Sequence, residues 1–223
     1  MAFSDFTLPE LQTDFGLGVV FDRSFVSAVV PVEPGPGLGS WLKRYVPLAS
    51  IATSEKARSE LIIAPMLLEA RERAGVPVGF FSGVELNVDA AKGLRGYCDY
   101  LLTLSPNQYL IASPVVVLVE VKNDNTTPAL AQCVAEMYAA WLMNERSGYP
   151  SESVYGVLTT GLQWVFLRLR GTEVIVEPVP VPIQDAPKIL GILLEMHKVP
   201  VTRADPSPRA TNPTDHHPEP LHV

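Results

Sequence analysis

Val115-Val116-Val117-Leu118-Val119-Glu120-Val121-Lys122 sets an uninterrupted apolar run directly against two charges. Residues 115–119 are all apolar β-formers with no polar position among them. A run of this kind describes a strand buried on both faces, as in the centre of a sheet covered by helices on each side. Side chains alternate along a strand, so Glu120 and Lys122 at its end face the same way and sit side by side. Burying either charge alone is expensive, and a purely structural pair is at best about neutral against apolar residues of the same size. A divalent metal is one chemistry that gives such a placement a reason.

Working outward, residues 94–104 read as the preceding strand and carry Asp99. The turn signal Ser105-Pro106-Asn107 follows, so a hairpin brings Asp99 alongside Glu120 and Lys122. Before that strand, residues 54–74 read as a long helix with Ser54 as N-cap and Ala57, Leu61, Ala64 and Leu68 on one stripe; Pro65 should kink it. Glu60 flanks the stripe. After Lys122, Thr126-Thr127-Pro128 opens a second helix that stops near Gly148, with Leu130, Val134, Met137 and Trp141 as its apolar face. Gln132 falls opposite that face, together with Glu136 one turn later. Either this helix is covered on both sides or the glutamine is exposed.

Asp99, then twenty residues, then Glu120-Val121-Lys122, in the order helix, three strands, helix, strand, resembles the PD-(D/E)XK nuclease superfamily over about residues 50–170. The phrases Gly93-Leu94-Arg95-Gly96-Tyr97-Cys98-Asp99-Tyr100 and Gln132-Cys133-Val134-Ala135-Glu136-Met137 resemble that family's glycine-flanked acidic strand and glutamine-bearing helix. Cys98 stands where the motif's proline would be. The resemblance implies an α/β fold with a restriction-endonuclease-like core, a central mixed β-sheet flanked by helices. It also implies a magnesium-dependent phosphodiester hydrolase of nucleic acid, with manganese able to replace magnesium. Asp99, Glu120 and the backbone at Val121 would hold the metal, and Lys122 would orient or help deprotonate water and balance charge on the phosphate. Gln132 and Glu60 would join the site, with a solvated carboxylate as the alternative for Glu60. DNA is favoured over RNA as partner, and a homodimer or partner subunit fits the family. The rival expectations are a non-catalytic module of the same fold, acting as a binding subunit of a defence or repair assembly, and a small-substrate phosphodiesterase.

Composition bounds these expectations. With 223 residues, 47% of them hydrophobic, the chain has material for one substantial core. Its formal net charge of −7 argues against a sequence-blind DNA binder, although Lys92, Arg95, Lys122, Arg168 and Arg170 could form a local basic groove. No apolar run approaches membrane-spanning length, and the first residues show no basic start or apolar leader, so a cytoplasmic protein is expected. The only cysteines, Cys98 and Cys133, form no CxxC pair, consistent with a reducing compartment and no zinc.

Five prolines fall in residues 1–47, six in 48–177 and ten in 178–220, which marks the middle as the folded region. Residues 1–47 read as an added arm or hairpin of strands 18–21 and 25–32, and residues 48–198 as the nuclease-like domain. Residues 199–223 lack apolar periodicity and read as a flexible tail. Extra strands are expected at 153–158, 163–170 and 173–179, with a closing helix at 187–198. Thr159-Thr160-Gly161-Leu162 is the hairpin between the first two. Trp164, Phe166, Arg168 and Arg170 share one strand face, either an amphipathic outer face or a surface for stacking bases.

Overall fold

The computed structural model describes residues 1–52, 54–123 and 126–198. In chain order the elements begin with α1 (Leu8–Phe15), β1 (Gly18–Val20), α2 (Pro36–Ile51) and α3 (Glu55–Arg58). A π-helical turn (Ser59–Ile63), α4 (Ala64–Arg73), β2 (Gly79–Asp89), β3 (Leu94–Thr103), β4 (Val115–Val121) and α5 (Thr127–Arg146) follow. The chain continues through β5 (Val154–Thr159), β6 (Gln163–Arg170), β7 (Glu173–Val176), β8 (Val181–Pro182) and α6 (Ala186–Met196). The strands form one mixed sheet in the order β1-β7-β6-β5-β4-β3-β2, with β8 added to β6. β4 and β5 are parallel neighbours linked through α5, and the pairs from β2 to β4 and from β5 to β7 are antiparallel. The protein is thus α/β with a mixed central sheet.

Every residue of β4 is buried, as its unbroken apolar run requires. On one face α2, the π turn, α4 and α6 pack against Tyr100, Val117, Val119, Trp164 and Phe166. On the other, α5 packs against Cys98, Leu101, Leu118, Leu158 and Leu167. The strand carrying Trp164 and Phe166 is therefore enclosed on both sides, and these two rings, fully buried, are not available to stack bases.

The amino-terminal region departs most from the sequence reading. The expected hairpin of residues 18–21 and 25–32 does not form: Gly18–Val20 pairs in parallel with β7 at the sheet edge, and residues 25–32 form no strand, with bends and a turn over 25–28. Nor is the region an appendage, because α2 runs across the expected boundary at residue 47. Phe3, Phe6, Leu11 and Leu17 enter the core against the outer side of α5, and Phe6, Phe15, Tyr138 and Trp141 form a chain of ring contacts 4.8 to 5.8 Å between centroids. Helix α5 is consequently covered on both sides. Residues 199–223, read as a tail, lie outside the described residues.

Pro65 acts differently from a simple kink. Without an N–H it leaves the Leu61 carbonyl without its helical donor. The turn before it widens to π geometry, with the Ala64 N–H reaching Ser59 O, and Trp41 Nε1–H from α2 donates to Leu61 O at 2.8 Å.

Candidate functional site

The β3–β4 ladder runs to Tyr100↔Val119 and then stops. Beyond that point the Asp99 Oδ2 accepts the Val121 N–H at 2.7 Å, so a carboxylate stands where the next main-chain acceptor would be. On the other side of β4, Lys122 N–H donates to Thr159 O at 3.0 Å. Asp99 is turned by an irregularity that alternation alone does not foresee. Gly83, at φ +62°, and Asp99 are skipped in the register between Ser82↔Tyr100 and Val84↔Cys98. Across that point Cys98 and Tyr100 belong to opposite halves of the core, although two residues apart on a regular strand would share a face.

Glu120 and Lys122 do share a face, with Lys122 Nζ 2.6 Å from Glu120 Oε1. Glu120 is almost wholly buried and Lys122 about one-third exposed. Behind Glu120, toward α5, lies Glu136, also fully buried, and Gln132 Nε2 donates to Glu136 Oε1 at 3.0 Å. Neither Glu120 Oε2 nor Glu136 Oε2 meets a donor from the rest of the described protein. The contact between the two carboxyl groups is therefore satisfied only when one of them carries a proton.

Burial pushes Glu120 up to about 7, with the Asp99 charge adding to the rise against the pull of Lys122. Burial, and then the Glu120 charge, hold Glu136 well above the usual carboxylate range. Asp99 is raised by burial, opposed by the Val121 N–H and by Lys122. For Lys122 burial acts downward, but the Glu120 hydrogen bond and the Glu120, Asp99 and Glu55 charges outweigh it, and the ammonium is stabilised. Cys98 and Cys133, buried beside this group, have their thiols raised by burial and by the Glu136 and Glu120 charges, so they are inert packing.

Asp99 and Val121 line a cleft of about 210 Å3 whose other walls are Glu55, Lys56, Ser59, Ser82 and Gly83. Its α3 side is tied to the strand ends. Glu55 Oε1 accepts the Asn123 N–H at 2.9 Å, Arg58 donates to Thr160 O, Ala52 O and Asn123 Oδ1, and the Ser59 and Tyr100 hydroxyls lie 2.5 Å apart. Thus the structure brings Asp99, Glu120, Lys122 and Gln132 into one connected group. Glu60 is instead exposed and pairs with Lys56 at 3.3 Å; the carboxylate of this segment that reaches the cleft is Glu55. Of the expected basic groove, Arg170 is paired with Glu152 and Arg168 lines a different cavity, while Lys56 supplies the cation at the cleft. Gly96 seats Phe3, with a would-be Cβ 2.8 Å from that ring.

Glu136 and Glu55 carry the site further than the sequence indicated. The signal for Glu136 was a lone acid in the otherwise apolar 133–137 segment, one turn from Gln132. Among the described residues no group of three or more His, Cys, Asp or Glu side chains converges in a form that could hold a metal, and no helix is long and apolar enough to cross a membrane. Comparison with protein-family models and with curated proteins returns no match to the chain.

Proposed function

We propose that the chain is a magnesium-dependent nuclease on a restriction-endonuclease-like core, cutting phosphodiester bonds at the Asp99–Glu120–Lys122 group, with DNA as the favoured substrate. The observation that carries this reading is the meeting of these three residues at the point where β3 and β4 separate, with Asp99 on Val121 N–H and Lys122 on Glu120. Supporting it are the order helix, three antiparallel strands, helix, parallel strand, and the cleft beside Asp99.

The donor types suit magnesium, which selects hard oxygens and keeps several waters. Asp99, Glu120 and the Val121 carbonyl would hold it, and Glu120 Oε2, without a donor among the described residues, is free to do so once its proton leaves. Such an ion supplies Lewis-acid polarisation of the phosphate and a more acidic water. Lys122, kept protonated by Glu120, neutralises developing negative charge; it is not suited to take a proton from water. Glu136, fixed by Gln132, keeps Glu120 oriented toward the strand end. Lys56 adds positive charge at the cleft wall in a chain whose net charge is −7.

A second reading, a non-catalytic module of this fold, is favoured by one observation: Lys122 already pairs with Glu120 Oε1 at 2.6 Å and so engages one of the two carboxylate oxygens within the protein. Incubation of the wild type with single- and double-stranded DNA and RNA across a magnesium and manganese titration separates the two. The nuclease reading expects metal-dependent cleavage that disappears in Asp99→Asn and Lys122→Ala while both variants melt cooperatively. Folded wild type with no cleavage of any of the four substrates in either metal would leave the binding module.

A further inference from the structure

At the opposite end of β5 from Lys122 lies a second, larger cavity of about 420 Å3, within the range of small-molecule sites. Tyr155 and Arg168, cross-strand partners on β5 and β6, form its floor, and Thr159, which holds Lys122, is four residues along, roughly 13 Å by strand rise. The walls are residues 25–30 on one side and Ile192 and Met196 of α6 on the other.

The wall of residues 25–30 is held open by dedicated contacts. Buried Glu177 accepts from Ser24 Oγ, Phe25 N–H and Val26 N–H, at 2.8, 2.5 and 3.1 Å. Lys188 Nζ donates to Val26 O and Val29 O, at 2.9 and 3.0 Å. Gly191 of α6 lets the chain approach so closely that a Cβ there would collide with Val30 O. Glu177, just past the end of β7, and Lys188 and Gly191 of α6 thus fix one wall, which makes the cavity a preformed feature.

Its charged lining residues are Glu152, Glu195, Arg168 and Lys198, and they are not paired with one another throughout. Glu152 is paired with Arg170 and Glu195 with Lys198, leaving Arg168 as the lining cation with no ion pair or hydrogen bond among the described residues. Arg168 lies 5.1 Å from the centre of the Phe25 ring, and its Nε is buried without an acceptor. A guanidinium cannot shed its charge, so a partly desolvated one without a counterion leaves a favourable interaction unmade. We propose that this cavity is a binding site for a small organic monoanion, a carboxylate whose acid group meets Arg168 and whose apolar body lies among Phe25, Val29, Ile192 and Met196.

The site is independent of the nuclease reading, and Asp99→Asn should retain it. Octanoate and 3-phenylpropionate, each compared with its uncharged amide, are the probes, read by calorimetry and by melting temperature on the full chain. Both acids are expected to raise the melting temperature saturably and the amides to have little effect. Affinity should fall about tenfold or more in Arg168→Met, which keeps an unbranched stem against Phe25, and in Ala28→Trp, which fills the mouth from an exposed position. Equal shifts with acid and amide, unchanged affinity in a folded variant, or no shift in the wild type at about 10 mM acid overturns the proposal. Inorganic phosphate binding as tightly as octanoate overturns it as well, since an apolar body would then count for nothing.

Discussion

Glu136 is the residue on which the energetics of the site turn, because it places a second, fully buried carboxyl against the almost wholly buried Glu120. Both have proton affinities above their unfolded values, so the folded state binds more protons than the unfolded chain. Their stabilising contribution is then complete below about pH 4.5; that of Glu120 is lost as pH rises through about 7, and that of Glu136, also raised, is lost on the alkaline side of the ordinary carboxylate range. For Glu120 the rise corresponds to about 3 kcal/mol, or roughly 6 to 12 °C in melting temperature for a domain of this size. The wild type without metal should therefore melt lower at pH 8 than at pH 5, and Glu136→Gln, whose amide donates to Glu120 without a shared proton, should flatten that slope. Parallel slopes in differential scanning calorimetry would show that the two acids do not share a proton. Asp99 offers a second test, since its Oδ2 is the acceptor for Val121 N–H. Asn retains that acceptor and should melt close to wild type, whereas Asp99→Ala leaves the N–H unpaired and should cost about 1 to 3 kcal/mol in urea titrations. Equal loss in both variants would mean that the charge, not the hydrogen bond, holds the strand end.

Among the elements, the helix pair of α3 and α4 shows how a single proline is accommodated by a partner rather than by a break. The widened turn and the Trp41 indole together accommodate the bond that Pro65 cannot make, directly after the α3 turn whose Glu55 and Arg58 reach the strand ends. Trp41→Phe should then cost about 1 kcal/mol in the native background. In a Pro65→Ala background the substituted residue regains a main-chain N–H to offer the Leu61 carbonyl, and Trp41→Phe should cost measurably less. Equal costs around this double-mutant cycle would detach the indole from the proline. The position of Pro65 was readable as a disturbance, but the form it takes depends on α2, which lies across a turn-rich connector and was not itself expected.

At the scale of the molecule, what could be read was what local rules determine: the buried run of β4, the shared face of Glu120 and Lys122, the start of α5 at Thr127-Pro128 and the β5–β6 hairpin around Gly161. Asp99 needed more, since its placement depends on the positive φ of Gly83 on the neighbouring strand. The cover over the outer side of α5 needed the most, because Phe3, Phe6 and Leu11 lie more than 120 positions before Glu136. The signal for that cover was present in Thr7-Leu8-Pro9-Glu10, where Thr7 and Glu10 form a capping box at the start of α1. Read as a separable arm, residues 1–17 would be dispensable; packed as they are, they bury Phe3, Phe6 and Leu11 against α5. Replacing Phe6 with Ala should cost about 3 to 5 kcal/mol, and deleting residues 1–17 should abolish the cooperative melting transition. Tyr109→Ala, at a side chain 95% exposed, is the control and should stay within about 0.5 kcal/mol of wild type. A truncated chain that melts as sharply as the full one would restore the arm.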